Sequence, residues 1–306
     1  MIGHLRVKSP WSQLGLFLAL FGAAFILASF ILTLLITARG LPLTGLEKLD
    51  WTQPRVLGTM KLAQAISTVV IFLIPAIIFA RITFKNRPMY FLGVRPAIQQ
   101  HMYLLAILCI LVAMPFVIWL GELNQLIPLP EWMTRMDKDA GKQMALFLKA
   151  GNSWEVAVNV LIIAFLPAVC EEICFRGALQ RVIIHISKNA WLGIVITAIL
   201  FSALHFQFQG FLPRVFLGIL LGALFWYSGS LWPGIAAHFV HNAVQVIAIS
   251  YAPEYIDKNP SLPGFAALLS GIGVFGILWV YRSFSTITYE KVYTPQEMNG
   301  NNEFLV

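Results

Sequence analysis

Charge is what this chain has least of. Asp, Glu, Lys and Arg make up 11% of its 306 residues, against about a quarter in soluble domains. Hydrophobic residues make up 58%, and mean hydropathy is +0.77. Two soluble domains, which the length alone would allow, are excluded because the apolar runs are too long and too many for a water-soluble core. Acidic residues are scarcer than basic ones, 14 against 21, which gives a net charge of +7 and a pI near 9.4. In a soluble protein that balance would raise nucleic acid as a partner. Here Arg81, Lys85, Arg87 and Arg95 lie between apolar runs, where cations face anionic headgroups. There is no basic stripe interleaved with aromatics, so the expected partner is the lipid bilayer and no nucleic acid. Cysteine is also rare. Cys109, Cys170 and Cys174 form no CxxC pair and no even framework, which excludes a disulfide scaffold and leaves three small buried hydrophobes. The chain lacks an internal repeat, a low-complexity tract and a Gly-rich phosphate loop.

What the chain has is apolar length. A spanning helix needs about 20 mostly apolar residues. Eight segments qualify as candidates, at roughly 14–37, 63–80, 102–120, 156–174, 191–208, 212–228, 231–250 and 264–281. The first is too long for a signal-peptide core and is expected to stay as a transmembrane helix. The fold class is therefore all-α, a polytopic transmembrane helical bundle of about eight spans. Very short links near Gln209-Gly210 and Gly229-Ser230 force antiparallel neighbours. Arg6 and Lys8, and the cluster from Arg81 to Arg95, place both termini on the cytoplasmic side by the positive-inside rule. Lys and Arg are nonetheless spread almost evenly over the two faces. In the loop 121–155, residues Trp132 to Leu148 mix apolar and charged positions at helical spacing and predict an interfacial amphipathic helix. The tail from about Ser283 is polar. Arg214 is expected to snorkel at a span end, and Pro167 to bend the fourth span near its acids.

Ionisable groups in a bilayer cost several kcal/mol each and mark sites or pathways. They occur in three places: Glu171-Glu172 with Arg176, then His205, then His238 with His241 and Asn242. On a helix Glu172 and Arg176 stand at i, i+4 and can pair. Glu171 is rotated about 100° away and lacks that partner. His238 and Asn242 also share a face at i, i+4, with His241 close to it. Read singly, each group has a bland explanation. A Glu-Arg pair can be wholly structural, and a lone His or Asn often only joins helices. Their concentration between 171 and 242 in otherwise apolar sequence weakens that explanation.

A carboxylate with a neutral histidine can deprotonate water for amide hydrolysis. A second histidine with an asparagine can donate to the developing oxyanion, at about 3 kcal/mol per donor. The same groups include zinc ligand types, with Glu171, His205, His238 and His241 as candidates, although HExxH is absent. A transporter or proton relay is a further reading of intramembrane acids and histidines. The paired interrupted helices and repeated halves of many transporters are missing.

Glu171-Glu172-x-x-x-Arg176, Phe201-x-x-x-His205 and His238-x-x-x-Asn242 resemble the three motifs of the CAAX protease and bacteriocin-processing family, also called Abi, which includes the type II CAAX prenyl endopeptidases. Phe175-Arg176-Gly177 and Leu231-Trp232-Pro233-Gly234 agree with it, over roughly residues 155–250. The resemblance implies an integral, multi-pass intramembrane endopeptidase open to the cytoplasmic side, which in a prokaryote would be the inner, cytoplasmic membrane. Its substrate would be a prenylated or otherwise membrane-associated peptide or protein, cut near its C-terminus. It implies that Glu171 and His205 activate water, that His238 and Asn242 hold the oxyanion, and that Glu172 with Arg176 supports the site. No cofactor is required in that reading, with zinc as the alternative. Some members of the family are scaffolds or bacteriocin self-immunity proteins. The implied organisation is N-terminal helices and amphipathic loop at 1–150, the catalytic core at 151–255, and the last helix with the polar tail at 256–306.

Overall fold

A computed structural model describes residues 7, 9–44, 49–84, 87–252 and 262–293. Arg6, Lys8, Lys85 and the tail beyond residue 293 lie outside the described residues. Every regular element among the described residues is helical. In chain order the long helices are α1 (Pro10–Ala38), α2 (Pro54–Thr83), α3 (His101–Gln125), α4 (Glu131–Leu148), α5 (Ser153–Ser187), α6 (Ala190–Ala203), α7 (Phe211–Ser228), α8 (Leu231–Tyr251) and α9 (Gly264–Ser283). Each of the eight apolar segments becomes a helix, and the predicted amphipathic segment becomes α4.

Six of these, α1, α2, α3, α5, α7 and α9, are long and apolar enough to cross a membrane. Two segments expected to span fall short. The predicted 191–208 helix stops at Ala203, leaving 14 residues, or about 21 Å against the roughly 30 Å of a hydrocarbon core. Residues 204–210 instead form a turn with Phe206 at φ +51°. Helix α8 has the length, 21 residues, but His238, His241, Asn242 and Gln245 dilute its hydropathy. Helix α5 runs far past the predicted 156–174, to 35 residues.

Prolines inside the spans are accommodated in two ways. Proline removes an amide donor and crowds the carbonyl four residues back. Ahead of Pro75 and Pro167 the helix widens into π turns, at Val69–Leu73 and Val160–Phe165. Beside Pro115 a neighbour intervenes. The Ser270 hydroxyl of α9 donates to Val112 O (2.5 Å) and accepts from Phe116 N (3.2 Å), bridging a broken rung of α3. A second π segment in α5, Ile173–Gln180, follows the two acids directly.

The buried side chains form two main clusters. One joins α1, α2, α5 and α6 through Phe17, Phe79, Phe175 and Phe201. The other joins α3, α7, α8 and α9 through Ile110, Leu220, Ala237 and Tyr281. Helices α5 and α8 meet at the seam between them. The link from α7 to α8 is as short as expected. Gly229 closes α7 at φ +63°, and Ser230 caps α8 by accepting from Trp232 N while donating to Arg95 O (2.5 Å).

Candidate active site

Helix α5 is buried without interruption from Cys170 to Gln180 although that run carries Glu171, Glu172, Arg176 and Gln180. The polar groups in that run therefore need partners within the bundle. Glu172 finds two. Its Oε1 lies 2.8 Å from Arg176 Nη1, the pair expected from the i, i+4 spacing. The same oxygen lies 2.9 Å from His238 Nδ1 on α8. A carboxylate only accepts, so Nδ1 carries the proton. Glu172 thus fixes the tautomer and the ring orientation of His238. Nothing in the sequence pointed to this bond, because its ends are 66 residues apart.

Arg176, fully buried, is held by more than its carboxylate. Its Nη2 donates to Gly218 O on α7 (3.4 Å), and its guanidinium lies 4.6 Å from the Phe201 ring centre, a cation–π contact. One turn on, Gln180 Nε2 donates to Gly222 O (3.1 Å). The two glycines permit this ladder. A Cβ at Gly218 would sit 2.8 Å from that of Ala198, and one at Gly222 would sit 2.6 Å from Gln180 Oε1.

Glu171 points elsewhere. It makes no hydrogen bond among the described residues, and its Oε2 lies 4.0 Å from His238 Nε2. That is too long for a hydrogen bond and suits one water in contact with both atoms. The side chain is 11% exposed, so the carboxylate reaches the edge of the site. His205 stands at the mouth and is exposed. Its Nδ1 lies 2.8 Å from Phe201 O, a bond in which Nδ1 must be the donor, and this leaves the Nε2 lone pair available. The Phe201 ring borders His205 (4.8 Å between centres), His238 (6.2 Å) and Arg176. Phe201 is therefore the common wall of the site, a role the sequence motif alone did not reveal. The carboxamide of Asn242, one turn beyond His238, is half-buried and makes no hydrogen bond among the described residues.

The zinc alternative fits poorly. Glu171 and His238 face each other, but His241 Nε2 is occupied by the Gln245 amide at 2.9 Å. Among the described residues no group of three or more His, Cys, Asp or Glu side chains is arranged to hold a metal ion. Arg214, in the first turn of α7, bonds the side chain and the backbone carbonyl of Gln207 in the 204–210 turn.

Residues 153–244 match the family described as type II CAAX prenyl endopeptidase Rce1-like. Over 105 residues the chain is 30% identical to "Uncharacterized protein YpbD" of Bacillus subtilis (strain 168), covering 33% of this chain and 51% of that protein. The chain thus spans about half the length of this curated relative. No solved structure matches. The matched segment contains all three motifs, Glu171-Glu172-x-x-x-Arg176, Phe201-x-x-x-His205 and His238-x-x-x-Asn242.

Proposed function

We propose that this protein is an intramembrane endopeptidase that hydrolyses a peptide bond with a water activated by Glu171 and His205. The observation that carries the reading is the unequal treatment of two adjacent acids. Glu172 is consumed by Arg176 and His238, while Glu171 keeps both carboxylate oxygens free beside an imidazole. A buried carboxylate without a partner is costly, and its retention makes sense where it acts on a proton.

In the proposed step Glu171 takes a proton from the water, with the free Nε2 of His205 as its partner. The water oxygen bonds to the scissile carbonyl carbon. Asn242 and His238 donate to the resulting oxyanion. With Nδ1–H already given to Glu172, His238 must carry its second proton on Nε2 to donate from there. The C–N bond then breaks, and the proton held by Glu171 passes to the leaving amine. The substrate would be a prenylated or otherwise membrane-associated peptide reaching the site at its cytoplasmic mouth.

The test is hydrolysis of a panel of quenched fluorescent peptides, prenylated and plain, by detergent-purified protein. Cleavage of at least one peptide is expected, with a loss of about a hundredfold or more in His205→Ala and Asn242→Ala. Folded protein that cleaves none of them would favour the non-catalytic scaffold instead, and variants that cleave at the wild-type rate would overturn the roles given to His205 and Asn242.

A further inference from the structure

The turn that presents His205 is held only partly from within the family-matched segment, by Arg214 on Gln207. Residues 204–210 leave α6 with Phe206 at φ +51°, a conformation that non-glycine residues adopt only at some cost. Such a turn needs outside restraint. Two residues upstream of the family-matched segment supply it.

Asp137, on the amphipathic helix α4, accepts from Phe208 N (2.8 Å) and Gln209 N (2.9 Å) through its two carboxylate oxygens. Asn124, buried near the end of α3, donates from Nδ2 to Phe208 O (2.9 Å) and accepts from Leu212 N at Oδ1 (2.8 Å). The ring of Trp132, on the same helix as Asp137, meets Phe208 edge-on at 5.5 Å between centres. Four hydrogen bonds from outside the motif segment thus converge three to seven residues after His205.

We propose that Asp137 and Asn124 are positioning residues for His205, making α4 a strut that fixes the imidazole at the mouth of the site. The inference rests on the peptidase reading for its consequence and on the hydrogen bonds for its geometry. Charge-assisted bonds to backbone amides are stronger than neutral ones, so Asp137 carries the larger share. An Asp137→Asn side chain keeps one acceptor and turns an NH2 group towards the second amide, so it should do part of the damage of Asp137→Ala.

The experiment measures kcat and KM per folded molecule for Asp137→Ala, Asp137→Asn and Asn124→Ala, beside His205→Ala. Amide hydrogen exchange across 204–212 is followed in the same proteins. In Asp137→Ala, kcat should fall about tenfold to a hundredfold, as misplacement of a reacting group does, with KM unchanged within about twofold. Asp137→Asn should fall between that variant and wild type. Exchange at Phe208 and Gln209 should quicken about tenfold or more as the turn opens. Wild-type kcat in Asp137→Ala, a rise in KM alone, or unchanged exchange in the turn would each overturn the strut. Full activity in His205→Ala would instead defeat the peptidase assignment, while the exchange result would still decide whether Asp137 holds the turn.

Discussion

Helices α1 and α5 are both long, apolar and uninterrupted, yet they solve different problems. In α1 only Gln13, Phe17, Ala24, Ala28 and Ile36 are buried, and Ile26, Phe30 and Leu34 face outwards. Only 17% of its most apolar window is buried, against 44% in α5. Around its acids α5 buries eleven consecutive residues and departs twice into π geometry. Lipid accepts any apolar side chain, so α1 needs hydrophobicity but no particular shape. A helix enclosed by neighbours depends on close packing and on partners for most of its polar atoms. The outcome is a tolerant periphery around an intolerant centre, and the proposed active site lies in the intolerant part. π segments in α-helices frequently mark such sites.

Substitutions graded from centre to periphery can break this contrast. Glu172→Ala should have the largest effect on folding, because it leaves the fully buried Arg176 without its carboxylate and frees the His238 ring. A loss of about 3–5 kcal/mol is expected from breaking a buried pair on one side, read as a large drop in thermal midpoint together with lost cleavage. Gly222→Ala should cost about 1–3 kcal/mol by overpacking, since its Cβ would collide with Gln180 Oε1. Adding Gln180→Ala should relieve part of that loss, and a purely additive double mutant would mean the clash is not the cause. Ser270→Ala removes the bridge beside Pro115 and should cost about 1 kcal/mol, visible as faster amide exchange at Phe116. Leu268→Ala, on the exposed face of α9, should stay within about 0.5 kcal/mol of wild type. A large loss there would mean that the periphery is shaped by a protein partner and not by lipid.

Much of this was legible in the sequence, for reasons that also set its limits. The apolar runs gave the helices, because hydrophobicity over about 20 residues is a local property. The spacing of Glu172 and Arg176 gave their ion pair, because i, i+4 geometry is local too. It also separated Glu171 from Glu172 before any coordinates did. Helix ends were less legible. The residues after Ala203 remain partly apolar, and only the turn chemistry around Phe206 stops α6. Contacts between distant segments could not be read at all. Glu172 to His238, Arg176 to Gly218, and Asp137 to the 204–210 turn each join segments 42 or more residues apart, and no periodicity encodes them.

The central claim is that neighbouring acids divide the work, Glu171 acting on the proton and Glu172 holding the site together. Glu171→Gln keeps the shape of the side chain and removes only its ability to take a proton. The decisive measurement is kcat and thermal midpoint of this variant, beside wild type, on whichever peptide the wild-type protein cleaves. The account predicts a fall in kcat of about a hundredfold to ten-thousandfold, the range for losing a general base, at an unchanged midpoint. Wild-type turnover in Glu171→Gln would contradict it, and so would a loss of activity that merely follows a collapse in stability.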